Sequence, residues 1–194
     1  MAMRTNVLLP MVLAAAVIGQ AAEHRLPKPF IVRISESWST LHPTAGPNNL
    51  SNCLIVLPDG RVHLELRRQE FFDGRATALT TYEAVLDNKA LGILQSILDD
   101  AGVSRLHQFA QPAVPMDVDD WQGFTAEIVR RSQVQRVGYL TWHGAGPNNS
   151  EGDKTAWKEA SVALKPLVEW SHAVKSYTPS TWKRVPNPQT ICGE

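Results

Sequence analysis

A glycine-rich loop that begins at His143 is the first place in this sequence where a ligand could be bound. The loop reads His-Gly-Ala-Gly-Pro-Asn-Asn and directly follows an alternating pattern that is typical of a strand. Glycines at the end of a strand let backbone N–H groups approach a ligand. We therefore predict a candidate site made of His143, Gly144, Gly146 and Asn148. The alternative is a His143 that is structural or merely exposed.

Catalytic groups are not gathered in a recognisable motif. The chain has six histidines, but no GxSxG, HExxH or paired-cysteine pattern accompanies them. A nucleophile, a base and an acid can meet in space from distant positions, so a hydrolase that uses His63, His143 and nearby carboxylates stays open as an alternative function. No phosphate-binding GxxxxGKS/T motif occurs, and we expect no cofactor.

The first 21 residues have the layout of a secretory signal. Arg4 precedes an apolar stretch over Val7–Ile18, and the small residues Gly19 and Ala21 occupy the positions that a signal peptidase reads. Such a stretch spans about 18 Å as a helix, short of the hydrocarbon core of about 30 Å, which disfavours a membrane anchor. We predict that residues 1–21 are removed, that the protein is secreted or periplasmic, and that it has no integral membrane association after cleavage.

Cleavage after Ala21 would create a candidate metal ligand. The mature chain would then begin Ala22-Glu23-His24, and a free amine with His at the third position can bind Cu(II) or Ni(II) through four nitrogens in a square plane. His24 is therefore a candidate metal ligand. The pattern is lost if cleavage follows Ala22, and an exposed His24 with no ligand is the alternative.

Two cysteines, Cys53 and Cys192, are present in a chain that we expect to be exported. In an oxidising compartment a lone pair is more often bridged than free. A redox-active pair usually has CxxC spacing and a lowered thiol pKa, and the sequence has no such spacing. We predict a structural disulfide between Cys53 and Cys192.

Charge limits the partners that the protein can have. The chain carries 19 Lys plus Arg against 19 Asp plus Glu, and no run of basic residues exceeds two. Binding to phosphates needs clustered basic residues, so we expect no nucleic-acid partner. A nearly neutral exported chain favours a protein partner recognised by shape and apolar contact.

The elements that position these residues are predicted from periodicity. Pro58-Asp59-Gly60 joins two strand patterns and suits a tight turn, because Pro presets φ, Asp bonds its own backbone and Gly accepts a positive φ. Asp87 is a candidate N-cap for a helix that ends near Gly102. Pro166 should kink the last helix or begin a new segment. The predicted strands are 53–57, 61–67, 75–86, 121–130 and 134–142.

This order is βββαββα. It predicts an α+β domain with an antiparallel sheet of about five strands and two helices packed on one face. The domain should cover residues 53–176. It would be preceded by a polar segment over 22–52, which contains one short strand pattern at 30–34, and followed by a Pro-rich tail over 177–194.

The stretch from Cys53 to about Leu106 resembles a group of secreted bacterial proteins of unassigned function. The resemblance rests on the Leu-Pro-Asp-Gly-Arg hairpin, the Thr-rich third strand and the Leu-Asp-x-x-x-Leu-x-x-Leu start of the helix. The order of elements is also similar to that of emfourin, a bacterial inhibitor of thermolysin-like metallopeptidases. That similarity implies a fold and transfers no residue. We expect an exported, non-enzymatic binding or interaction protein, presenting an edge strand or residues 143–153.

Overall fold

Alternating side chains and tight turns build one sheet with helices on it. The computed structural model describes residues 30–40, 49–69, 78–107, 109–110, 120–131, 133–143, 151–176, 181–186 and 190–192. The strands are β1 (Val32–Thr40), β2 (Asn49–Val56), β3 (Arg61–Gln69), β4 (Ala78–Val85), β5 (Phe109–Ala110), β6 (Asp120–Arg130), β7 (Gln133–His143) and β8 (Lys183–Arg184). The helices are α1 (Asn88–Leu98), α2 (Ala101–Ser104) and α3 (Glu151–Ser176).

The described strands form a single sheet in the order β5-β7-β6-β1-β2-β3-β4-β8. Neighbouring strands are antiparallel, except that β5 runs parallel to β7. Strand β1 pairs with β2 on one side and with β6 on the other, so it lies in the middle of the sheet. The two predicted hairpins, β2–β3 and β6–β7, therefore lie on either side of β1.

The predicted arrangement of about five strands and two helices in the order βββαββα is wrong. In the described ranges the structure has seven strands in antiparallel pairing, a further short strand β5, and three helices. Strand β1 was not expected in full because Glu36 takes a position that faces the core, and the serines around it give a polar composition. Strands β5 and β8 are two residues long, too short for any periodicity to reveal them.

The turn between β2 and β3 confirms the prediction made from Pro58-Asp59-Gly60. The N–H of Leu57 donates to the carbonyl of Arg61 at 2.9 Å, and Gly60 has φ of 82°. A Cβ at Gly60 would also meet Leu91 Cδ1 at 3.0 Å. Glycine is therefore required here both for the left-handed backbone and for the contact between the turn and α1.

The helix predicted to run from Asp87 to Gly102 is two helices. Asp87 caps α1 as predicted, since its Oδ1 accepts a hydrogen bond from Ala90 N at 2.7 Å. The helix ends at Leu98, and Asp100 caps α2 by accepting from Gly102 N at 2.7 Å. Adjacent capping residues stop one helix and start another, because the Asp side chain competes for backbone donors.

Helix α3 passes through Pro166 as one continuous element, so no new segment begins there. The proline removes the partner of the carbonyl of Val162. That side of the helix faces solvent, with Val162 66% exposed, and water can hydrogen-bond to the freed carbonyl. No helix in the described ranges is long and apolar enough to cross a membrane.

The helices bury their apolar residues on one face of the sheet. Leu94 and Leu98 of α1, and Leu164 and Leu167 of α3, are at most 2% exposed. The strand residues in the same core cluster include Val32, Ile34, Leu54, Val56, Val62, Ala126 and Ile128. Burying a side chain of this size contributes about 1.5 to 3 kcal/mol, so this face supplies the main stabilisation of the fold.

Candidate functional site

The two faces of the sheet differ in side-chain chemistry. In β1, Val32 and Ile34 point to the helices, so Arg33 and Ser35 point to the other side. We call this other side the open face, since no helix in the described ranges packs against it. Its central residues are Arg33, Ser35, Ser37, Ser51, Cys53, Glu65 and Arg67.

Glu65 of β3 is fully buried although it belongs to the open face. Side-chain donors reach its carboxylate from His63 Nε2 at 3.2 Å, Thr190 Oγ1 at 3.0 Å and Arg67 Nη2 at 3.4 Å. The backbone N–H groups of Ile191 and Cys192 also donate to it. An ionised carboxylate only accepts, so the His63 Nε2 nitrogen carries the proton of that hydrogen bond.

These donors fix the charge state of Glu65. Burial alone would raise its pKa, but the hydrogen bonds from His63, from the N–H groups of Ile191 and Cys192 and from Thr190 lower the pKa of Glu65 to about 2. The carboxylate is therefore charged across the neutral range. A group with so low a pKa is a poor general acid or base at neutral pH.

A disulfide bond attaches the end of the described chain to the open face. Cys53 and Cys192 are bonded with an S–S distance of 2.03 Å, which confirms the predicted pair. The guanidinium of Arg33 donates to the carbonyl of Cys192 at 2.8 Å. We call residues 190–192 the tail strap. A covalent bond and several hydrogen bonds thus hold the tail strap on the sheet.

A groove lies beside the tail strap. Its volume is about 370 Å³, and Ser35, Ser37 and Ser51 contribute small half-buried side chains to it. Its lining also includes two cationic residues, Arg33 and Arg67, and two anionic residues, Glu36 and Glu65. Small hydroxyl residues leave room above the strands, and the arginines bring donors to the same space. The groove can therefore hold a polar group of a ligand.

A second cavity, of about 270 Å³, lies where β4, α1 and α3 meet. Most of its lining is apolar and includes Val85, Leu86, Val174 and Trp182. The charged residue in its lining is Asp87, whose carboxylate caps α1. Charged groups do not converge there as they do at the groove of the open face.

A separate polar cluster lies on the helix face, around Glu36 of β1. The Glu36 carboxylate is 2.7 Å from Lys175 Nζ and 3.1 Å from Ser171 Oγ, both of α3. Asn52 Nδ2 and His172 Nε2 lie at 3.2 and 3.1 Å. Lys175 and Ser171 are four residues apart, so one side of α3 delivers both.

Burial and pairing act against each other in this cluster. Burial alone would raise the pKa of Glu36, but the hydrogen bond and charge of Lys175, with Asn52 and His172, lower it. Burial lowers the pKa of Lys175, and the carboxylate offsets this only in part. The lowered pKa keeps the Glu36 carboxylate charged at neutral pH, and its hydrogen bonds to Lys175 and Ser171 tie α3 to the middle of the sheet.

The structure places His63 and the backbone of His143 on distant strands. His63 lies on β3, and His143 is the last residue of β7, with three strands between them. At about 4.8 Å per strand, the two backbones are about 19 Å apart across the sheet alone. The polar contacts of His63 in the described ranges are with Glu65 and, at 3.8 Å, Glu83. This backbone separation disfavours a cluster of His63 with His143.

Several predicted features lie outside the described residues. They are the signal over 1–21, His24, Gly144, Gly146 and Asn148, and the side chain of His143. The candidate loop site and the candidate metal ligand therefore stay predictions. In the ranges that the structure describes, no group of three or more His, Cys, Asp or Glu could hold a metal ion.

The polar clusters are organised by two residues that no sequence motif marks, Glu65 and Glu36. Glu65 alternates with apolar neighbours in β3, which is the pattern of a solvated face and gives no sign of burial. Glu36 sits in a Ser-rich stretch that resembles a loop. The sequence did indicate a polar cluster around Glu65. His63 and Arg67 each lie two residues from it in β3, so their side chains must share its face of the sheet.

No protein-family profile matches the chain, and no curated protein matches it.

Proposed function

We propose that the chain is an exported, non-enzymatic binding protein that recognises a protein partner through its open face. The observation that carries this proposal is the groove of about 370 Å³ beside the tail strap, where charged and hydroxyl side chains converge. Recognition surfaces are most effective when they are held in place before binding, because little ordering is then needed. The disulfide and the hydrogen bonds of Glu65 provide that order.

Export is part of the proposal. The signal pattern over residues 1–21 supports it, and so does the disulfide between Cys53 and Cys192. Disulfides form and persist in oxidising compartments and are rare in the cytosol. The protein would act in the periplasm or outside the cell.

Binding is favoured over hydrolysis by the chemistry around His63. Its ring contacts the carboxylates of Glu65 and Glu83, and in the described ranges no serine hydroxyl lies within hydrogen-bond distance of it. Nucleophilic catalysis requires a nucleophile in contact with its base. Glu65, with a pKa of about 2, is also unsuited to proton transfer at neutral pH.

Affinity capture from the periplasmic or culture fraction tests the proposal, with the exported protein as bait. Ser51→Phe should fill the groove and abolish capture of a partner that the native protein recovers reproducibly. Ser96→Phe is the matched control, because Ser96 is exposed on α1, and it should capture the partner normally. Capture that survives Ser51→Phe would show that the partner binds elsewhere.

The hydrolase alternative has its own readout. The native protein and His63→Gln are assayed against a panel of ester, peptide and glycoside substrates. We expect no turnover above background from either protein. Turnover by the native protein that disappears in His63→Gln, together with no reproducible partner, would replace the binding proposal with the hydrolase.

A further inference from the structure

Two buried polar atoms of the open face have no hydrogen-bond partner in the part of the chain that the structure describes. They are Nδ1 of His63 on β3 and Oγ1 of Thr81 on β4. His63 is 7% exposed and Thr81 is 1% exposed. Buried polar side chains usually have a partner, because they cannot hydrogen-bond to bulk water. The two atoms therefore mark a place where a ligand could bind.

The hydrogen bond between His63 and Glu65 decides which ring nitrogen is free. The ionised Glu65 carboxylate only accepts, so Nε2 of His63 carries the proton of this 3.2 Å bond. In a neutral imidazole the other nitrogen, here Nδ1, keeps an unshared electron pair. Metal-binding histidines have this arrangement, because a carboxylate that accepts from one nitrogen fixes the ring while the other nitrogen binds the ion. Glu65 thus orients His63 as a metal ligand would be oriented.

The strand register places a second possible ligand beside this nitrogen. His63 is opposite Ile55 of β2 on one side and Glu83 of β4 on the other. Ile55 belongs to the apolar cluster of the open face, so a polar ligand must approach from the side of β4. Oε1 of Glu83 is 3.8 Å from Nδ1, and the Glu83 side chain is 63% exposed. Solvent therefore reaches the pair from the Glu83 side, which gives an ion a path to the buried nitrogen.

The distance between the two atoms suits one metal ion after a small movement. Zn(II) binds imidazole nitrogen and carboxylate oxygen at about 2.0 to 2.2 Å, so two such atoms in a tetrahedral site are about 3.3 Å apart. Glu83 would therefore move about 0.5 Å towards the ring, which an exposed side chain can do. The described ranges hold no group of three His, Cys, Asp or Glu for an ion, so water would complete the coordination.

We propose that His63 and Glu83 bind a divalent transition-metal ion such as Zn(II), which accepts both imidazole and carboxylate ligands. Nδ1 of His63 and a carboxylate oxygen of Glu83 are the protein ligands. Glu65 is a positioning residue, because it acts on the ion only through the His63 ring. Thr81 lies two residues from Glu83 on the same face of β4, so its hydroxyl is placed to bond a water on the ion. The inference goes beyond the proposed function and does not depend on it.

Titration of the exported protein with Zn(II) near neutral pH, without a histidine tag, tests the site. The ring nitrogen NMR signals of His63 identify the binding atom, and their assignment by residue separates this site from the N-terminal candidate, His24. We expect saturable binding and a shift of the Nδ1 signal of His63. Coordination through Nε2, or a titration that leaves both ring signals of His63 unchanged, would overturn the proposal.

His63→Gln should weaken Zn(II) binding at least ten-fold in isothermal titration calorimetry. His172→Gln is the matched control, because Nε2 of His172 is also close to a carboxylate, 3.1 Å from Glu36, but Lys175 already bonds to that carboxylate. It should change the affinity less than two-fold. Equal losses in both variants would overturn the assignment, because they would reflect unspecific binding to histidine.

A second variant guards against a folding defect in His63→Gln, whose side chain is buried. Glu83 is exposed, so Glu83→Gln should keep the melting temperature of the metal-free protein. It should still weaken Zn(II) binding at least five-fold, since it removes a charged ligand. An unchanged affinity in this variant would remove Glu83 from the site and overturn the proposal.

The register also predicts a change in the opposite direction. Lys183 of β8 is directly opposite Glu83, on the side away from His63. Its ammonium group attracts the carboxylate and repels a cation bound there. Lys183→Gln should therefore tighten Zn(II) binding by about three-fold, and added salt should reduce this difference. Weaker or unchanged binding by Lys183→Gln at low salt would overturn the placement of the ion beside Glu83.

Discussion

Two glutamates are buried on opposite faces of the same sheet, and they differ in what surrounds them. Glu36 on the helix face is paired with the charge of Lys175 from α3. Glu65 on the open face receives most of its hydrogen bonds from the tail strap, including two backbone N–H groups. One carboxylate is stabilised by a packed helix, the other by a short segment that a disulfide holds in place.

The difference teaches how each face gains its rigidity. The helix face already has an apolar core, and the Glu36 cluster adds a charged contact that fixes α3 against the sheet. Among the described residues, the apolar cluster of the open face is small and is centred on Phe30, Cys53 and Ile55. Its order depends instead on the covalent bond and on the donors around Glu65. Five predictions test this contrast.

Removal of the disulfide should have the largest effect. The loop closed by Cys53 and Cys192 spans 139 residues, which in the loop-entropy account corresponds to about 5 kcal/mol. The variant Cys53→Ser/Cys192→Ser should lose about that much free energy of unfolding, measured by urea denaturation. A loss below about 1 kcal/mol would mean that the tail strap is held by hydrogen bonds alone.

Lys175→Met should destabilise the protein through the other face. It leaves the Glu36 carboxylate buried without its cationic partner, and breaking such a pair costs about 4 kcal/mol. Lys165→Met is the matched control on the same helix, because Lys165 is exposed and 3.8 Å from Glu169. We expect less than about 0.5 kcal/mol from it in the same urea experiment. Equal losses of unfolding free energy in the two variants would show that the buried pair of Lys175 and Glu36 stabilises the protein no more than the exposed pair does.

Acid should weaken the open face. The pKa of Glu65 is about 2 in the folded protein against an ordinary value of 4.5, so its carboxylate stabilises the fold fully above about pH 5 and less as the pH falls towards 2. The whole contribution is about 3 kcal/mol, of which about 2 should be lost between pH 6 and pH 3. Urea denaturation at both pH values, for the native protein and for Glu65→Gln, measures this loss.

The variant Cys53→Ser/Cys192→Ser tests whether the acid sensitivity of Glu65 depends on the tail strap. Without the tail strap, Glu65 loses the N–H groups of Ile191 and Cys192, so its contribution to acid sensitivity should shrink. The contribution of Glu36, whose pKa is also lowered, should remain. Full acid sensitivity at Glu65 in the disulfide variant would contradict the dependence of this face on the strap.

Thr190→Val should have the smallest effect. It removes a hydroxyl that donates to Glu65 at 3.0 Å and accepts from Arg67, and it keeps the shape of this exposed side chain, so we expect a loss of about 1 kcal/mol. Thr125→Val on the same face is the control, since Thr125 is exposed and its hydroxyl makes a 3.5 Å hydrogen bond. Thermal or urea denaturation of the two variants should rank Thr190→Val as the more damaging.

Local signals in the sequence predicted part of the fold. Pro58-Asp59-Gly60 identified the β2–β3 turn, and Asp87 identified the start of α1, because these residue types act on their own backbone. Strand β1 was missed beyond its first residues, because Glu36 replaces an apolar residue in the inward alternation. Its burial depends on Lys175, which is 139 residues away and leaves no local trace.

In the candidate site, the sequence predicted only the feature that a residue type reveals by itself. The count of two cysteines predicted the Cys53–Cys192 bond. The burial of Glu65 was not predictable, because Ile191 and Cys192 donate backbone N–H groups, which every residue type except proline has. The groove likewise depends on the register of β1, β2 and β3, which brings serines from two strands side by side.

The single disulfide has a consequence for oxidative maturation. A chain with two cysteines can form only one intramolecular pairing, so an oxidant alone is enough and no isomerase is needed to correct mispairing. The partner thiol of Cys53 lies 139 residues further along the chain, so the bond can form only after strands β3 to β8 have been synthesised. Formation of the disulfide therefore completes the open face of the sheet, and the loss of both free thiols measures this step.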